Sequence, residues 1–158
     1  MSDWSIDLSE YAEKKNVEIK EVRKAFVFAL YSSVVKKTPV HRQHGGRARA
    51  NWNISVGSPD SSVTDSTRVS VTEQNVPAPE GDEPIFISNN IPYITTLEYG
   101  GYPDPVEKGT WIKEGGGKGH YEILSEGGFS KQAPNGMVGV TVANAEAIFD
   151  AAVRSVHG

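Results

Sequence analysis

The side chains best suited to chemistry in this chain cluster in one short stretch, Thr38 to Trp52, TPVHRQHGGRARANW. His41 and His44 stand three positions apart, and Lys36, Lys37, Arg42, Arg47 and Arg49 surround them with no acid between. Two histidines can share a metal, but a closed zinc site wants four ligands at fixed geometry. No further ligand stands nearby and cysteine is absent, so the pair reads as part of a basic loop. Neither a metal nor a cofactor is expected. Glu114 to His120, EGGGKGH, has the composition of a phosphate loop, yet a Walker loop needs Ser or Thr after its Lys and a helix opening behind it. Here Gly119 follows Lys118, and a hairpin tip is the better reading. No GxSxG elbow surrounds any serine. Glu98, beside Tyr99 at a helix end, is the one acid with an ordered setting, and it reads as a buried partner for Arg47 or Arg49. No catalytic residue emerges, and the chain is not expected to be an enzyme.

The cations invite a nucleic-acid reading, with Lys36, Lys37, Arg42, Arg47 and Arg49 on phosphates and Trp52 stacked on a base. Against a dedicated nucleic-acid binder stand a sequence pI of about 5.6 and the alternation of Trp52, Ile54 and Val56 with polar residues, which places Trp52 in a core. The net charge of −4 also hides an asymmetry. Glu73, Glu80, Asp82 and Glu83 form an acidic loop with no base between them. Opposed loops of this kind suit a head-to-tail contact between copies, or a basic edge facing a polyanion. They are equally readable as two solvated loops.

The elements that position these residues follow from periodicity. Asp7, with Glu10, predicts the cap of a short helix through Tyr11 to Lys15, and Asn16 the cap of a second with Glu18 and Glu21 in its first turn. From Val17 to Lys37, Ile19, Val22, Phe26, Ala29, Leu30 and Ser33 recur at helical steps. Phe28, Tyr31 and Val35 form a second stripe. A helix this apolar is covered on both sides, either by a C-terminal helix and a sheet or, on one side, by a neighbouring subunit. Pro39 ends it behind Lys36 and Lys37. Trp52 to Val56, Arg68 to Thr72 and Ile85 to Ile87 predict strands. Asn89 or Asn90 caps a short helix carrying Pro92, Tyr93, Ile94, Leu97 and Tyr99, which Gly100 and Gly101 end. The Gly-rich segment Tyr102–Gly128 predicts a flexible hairpin with Trp111-Ile112 and Tyr121–Leu124 as its arms. A loop of that length is usually functional or partly disordered. From Met137, Val138, Val142, Ala145, Ile148 or Phe149, and Ala152 mark one helical stripe to Val156, although the β-branched start is ambiguous.

The expected fold is α+β: a long N-terminal helix and a C-terminal helix on a small, mainly antiparallel sheet with long loops. At 158 residues the chain fits one domain, 1–158. The start lacks the basic residues and apolar run of a leader, and Ala25–Val35 is shorter than the roughly 20 residues of a membrane span. No membrane association is expected, and the absence of cysteine suits a reducing cytoplasm.

Three fragments carry a family resemblance: TPV with GRARANWNISVGSP (Thr38–Val40, Gly46–Pro59), SNNIPYITTLEYGG (Ser88–Gly101) and FSKQAPNGMVGVTV (Phe129–Val142). In this order, and over nearly the whole chain, they resemble the tail-completion and neck proteins of long-tailed phages, the lambda tail protein Z-like group. Two departures stand out. The family commonly has Asp-Thr-Gly after Thr-Pro-Val, where this chain has the longer, more basic His41–Gly45. It also passes from Leu-Glu-Tyr-Gly to Ser-Lys-Gln-Ala-Pro in a few residues, so Tyr102–Gly128 looks like an insertion.

The resemblance implies a non-catalytic virion structural protein at the head–tail junction or tail top, assembled in the host cytoplasm. It would form a ring, hexameric by preference and dodecameric as the other possibility, that completes the tail and helps join it to the capsid connector. Its partners would be neck or connector proteins and tail terminator or tail-tube proteins, with passing contact to phage DNA. Lys36, Lys37, Arg42, Arg47, Arg49, Glu73, Glu80, Asp82 and Glu83 would face a neighbouring subunit or the lumen. Trp111, Ile112 and Tyr121 of the insertion would contact a partner. The alternative is a DNA-binding accessory protein using loop 36–49.

Overall fold

A computed structural model describes residues 8–40, 45–79, 81–99, 110–113, 116, 119–122, 133 and 135–158, with backbone alone at 8–12, 110–113 and 119–122. Its spine is helix α1 (Leu8–Lys37), 30 residues long. No glycine or proline interrupts that span, and the helix predicted to restart at Asn16 is continuous through it. An interior Asn costs a helix at most about 0.7 kcal/mol, less than nucleating a second one. Lys15 and Glu18 pair across this turn at 2.8 Å. Asp7 and the side chain of Glu10 lie outside the described residues.

Helices and small two-stranded antiparallel sheets make the fold α+β, as expected. After α1 come α2 (Arg47–Ala50), β1 (Asn53–Val56), a 3-10 turn (Glu73–Asn75), β2 (Ile85–Ser88) and α3 (Ile94–Tyr99). Strands β1 and β2 pair with Ile54 opposite Ile87 and Val56 opposite Ile85. Beyond them, β3 (Thr110–Lys113) and β4 (Gly119–Glu122) form a separate antiparallel hairpin with Trp111 opposite Tyr121; its second arm begins two residues before the predicted Tyr121, and Ile123 and Leu124 lie outside the described residues. The chain ends in α4 (Val138–Ala143) and α5 (Ala145–His157).

The core centres on Tyr31, Val34 and Trp52, ringed by Phe28, Val35, Ile54, Val71, Ile87 and Ile94. Burying one large apolar side chain contributes about 2–3 kcal/mol. The second stripe of α1 thus faces this core, while the first faces α5, where Phe26 and Phe149 meet edge to face at 5.2 Å. Ser33 Oγ and Thr141 Oγ1 lie 2.8 Å apart, so α4 sits level with Ser33 and α5 runs back along α1 towards Glu18.

Two sequence expectations fail here. No strand forms at Arg68–Thr72, because side chains take the backbone groups a ladder would need. Asn75 Oδ1 accepts from Thr72 N and Asn75 Nδ2 donates to Ser70 O, while Ser66 Oγ accepts from Arg68 N. The C-terminal stripe breaks at Asn144, whose backbone (φ −100°, ψ 7°) separates α4 from α5. Thr141 is therefore the buried residue of α4, and Val138 and Val142 are exposed.

Candidate assembly surface

Most residues from Gly46 to Trp52 join two parts of the fold. Gly46 opens α2 at φ +116°, and a Cβ there would lie 2.6 Å from the carbonyl oxygen of Thr67. Only glycine combines that backbone with that approach. Arg47 donates to Thr64 O at 3.2 Å and pairs with Asp65 at 2.8 Å. Ala48 and Ala50 are buried. Arg49 reaches the C-terminal end of α1, donating from Nε to Thr38 O at 2.7 Å and from Nη2 to Lys36 O at 3.2 Å. A cation on those carbonyls satisfies orphan acceptors and opposes the helix dipole. Asn51, buried, donates to Arg47 O and Thr64 O and accepts from Thr64 N. Trp52 Nε1 donates to Thr38 Oγ1 at 2.7 Å, and that hydroxyl donates onward to Val34 O at 2.6 Å. Thr38 is fully buried.

The second fragment locks onto this joint and the third onto the second. Asn89 Nδ2 donates to Ala48 O at 2.8 Å, and Asn89 Oδ1 accepts from Ile91 N at 3.2 Å, turning the chain before α3. That turn, with Pro92 inside it, delays the helix to Ile94. Glu98 is buried, but its partner is neither Arg47 nor Arg49. Its carboxylate accepts the backbone N–H of Met137 (2.6 Å), Val138 (3.0 Å) and Gly139 (3.0 Å) at the start of α4. This helix has no side-chain cap of its own. Charge matching points to an arginine; the uncapped N-terminus wins because its N–H groups, buried at Met137 and part-buried at Val138 and Gly139, need an acceptor.

The predicted site residues divide into those engaged within the chain and those facing solvent. Arg47 and Arg49 bond internally as above. Lys36 and Lys37 are exposed at the end of α1, with Lys37 Nζ 2.8 Å from Ser33 Oγ. Arg42 and Glu80 lie outside the described residues, as do the side chains of Trp111, Ile112 and Tyr121. Glu73, Asp82 and Glu83 are exposed. The acidic loop is tethered to the middle of α1, where Arg23 donates to the carbonyls of Gly81 and Glu83 and Lys24 Nζ lies 3.4 Å from Gln74 O. Arg23 and Lys36 are thirteen residues apart on one helix, so acidic and basic surfaces are spaced by about 20 Å along its axis.

His41 and His44 fall outside the described residues, and among those described no three His, Asp or Glu side chains converge as a metal site would require. No described helix is long and apolar enough to cross a membrane. Sequence reasoning missed the roles of Asn51 and Glu98. A helix start without Ser, Thr, Asp or Asn at its N-cap position was the signal available for Glu98. In comparisons with known proteins, no family model, curated protein or solved structure matches the chain.

Proposed function

We propose that this chain is a non-catalytic structural protein of a phage virion, placed at the head–tail junction or tail top. There it works as a ring, six copies by preference and twelve as the alternative, that completes the tail and helps join it to the capsid connector. One observation carries the reading. The three fragments that resemble tail-completion and neck proteins, distant in sequence, bond to one another: Asn89 to Ala48, and Glu98 to Met137, Val138 and Gly139. Their described side chains hold a frame, binding backbone groups of neighbouring elements. Opposed charge along α1 adds to this, since a copy presenting Lys36 and Lys37 can meet a neighbour's Glu73, Asp82 and Glu83.

Arg47 and Arg49 use their donors inside the chain, which weighs against the DNA-binding alternative. Replacing them would test folding along with assembly. Lys36 and Lys37 are the cleaner pair. The double variant Lys36→Glu, Lys37→Glu is expected to fold normally and to lose ring formation or head–tail joining. Normal rings and full infectivity from that variant would sink the proposal. Tight duplex binding that weakens steeply with salt, without rings, would favour the DNA reading.

A further inference from the structure

We propose that Asn135–Gly136 is a site of self-modification, where the chain's own backbone converts the asparagine to aspartate or isoaspartate, and that the Glu98 clasp gates it. The inference is independent of the ring reading. Its chemistry needs an asparagine, an unhindered amide following it, and water. Asn135 is the one asparagine of the chain that precedes a glycine; the others precede Val, Trp, Ile, Asn or Ala. With no Cβ, Gly136 leaves its amide nitrogen unobstructed.

The step balances with water alone. The Gly136 amide loses its proton to hydroxide or water, and its nitrogen attacks Cγ of Asn135. The N–Cγ bond forms, the Cγ–Nδ2 bond breaks, and ammonia leaves with a proton returned from solvent. Water then opens the resulting cyclic succinimide at either carbonyl. One opening yields aspartate on the normal backbone; the other yields isoaspartate, with the backbone routed through the side chain.

The fold presents the electrophile and withholds the nucleophile. Asn135 is exposed, and no bond among the described residues restrains its carboxamide. Gly136 is buried at φ +70°, and its N–H donates to Ala133 O at 2.8 Å, closing the turn. Met137, next in the chain, is fully buried, with its N–H held by Glu98 at 2.6 Å. An amide proton bonded and buried in this way is removed only when its segment opens, as in hydrogen exchange. Glu98 fastens that segment from its far side through Met137, Val138 and Gly139, so opening the turn means loosening the clasp. Conversion then follows the population of the open form. Neither product reverts to asparagine, so each chain keeps a record of having opened at the start of α4.

The test incubates the full chain at mildly alkaline pH and follows residue 135 by peptide mass spectrometry, with the aspartate and isoaspartate forms separated by chromatography. Folded wild type, Glu98→Gln and urea-unfolded wild type are compared, with melting temperature as the folding control. Expected are slow conversion in folded wild type, conversion faster by about tenfold or more in Glu98→Gln, and the fastest conversion in the unfolded chain. Urea below the unfolding transition should raise the wild-type rate in step with exchange of the Gly136 amide, which keeps the test decisive should Glu98→Gln fail to fold. Folded wild type converting as fast as the unfolded chain, or a folded Glu98→Gln converting no faster than wild type, would overturn the gate. Absence of conversion at residue 135 even in urea would overturn the site itself.

Discussion

The carboxylate of Glu98 accepts the backbone N–H of Met137 at 2.6 Å, joining two segments 39 residues apart and supplying the cap that α4 lacks. Val138 and Gly139 complete a three-donor clasp on the same carboxylate. Leaving a buried donor unsatisfied costs about 1–3 kcal/mol. Glu98→Ala is therefore expected to lower unfolding free energy by about 3 kcal/mol or more, and Glu98→Gln by less, since one acceptor oxygen survives. Chemical denaturation of both variants measures the difference. Equal stability of wild type and Glu98→Ala would remove the clasp from the account.

Thr38 relays a hydrogen bond from Trp52 Nε1 to Val34 O in a buried setting. Thr38→Val keeps the shape and deletes the relay, stranding the indole N–H at a cost of about 1–3 kcal/mol. Thr38→Ser keeps the hydroxyl and should recover most of that loss. The two variants, compared by denaturant midpoint, separate hydrogen bonding from packing.

Gly46 combines φ +116° with the close approach of Thr67 O, so Gly46→Ala meets both a strained backbone and a clash. A loss of at least about 1 kcal/mol is expected, and the same change at Gly57, where nothing lies within 4 Å of the added methyl, should cost less. Thermal melting of the two variants decides the ranking.

The buried Tyr31 ring makes no hydrogen bond through its hydroxyl among the described residues, and burial pushes its ionisation up. The folded state therefore holds this proton after the unfolded chain has begun to release it. Stability from this source is full below the ordinary tyrosine value of about 10 and falls as pH rises above it. Tyr31→Phe should be near neutral at pH 7 and should flatten that alkaline loss, read from unfolding midpoints on either side of the transition.

Much of the frame is legible in the amino-acid order alone. The helical recurrence along α1, the alternation around Ile54, and the Trp111 and Tyr121 arms of the hairpin are periodic signals that survive folding. Two of the failures share one cause. At Val69 and Val71 the pattern reads as a strand, but Asn75 and Ser66 capture the backbone. At Glu98 the nearest opposite charges in sequence logic are arginines, yet the true partners are backbone amides brought near by the fold. Polar side chains choose partners in three dimensions, and one-dimensional charge matching cannot rank a backbone amide against a guanidinium. Among the cations, Arg49 illustrates the same point: it belongs to the end of α1 more than to any outer surface.

The most direct test of the central claim is native mass measurement with negative-stain imaging, on the purified protein alone and mixed with phage tails. The account predicts a closed ring, formed freely or templated at the tail end, with six copies favoured. A protein that stays monomeric or dimeric under both conditions, and leaves the tail ends bare, would contradict it.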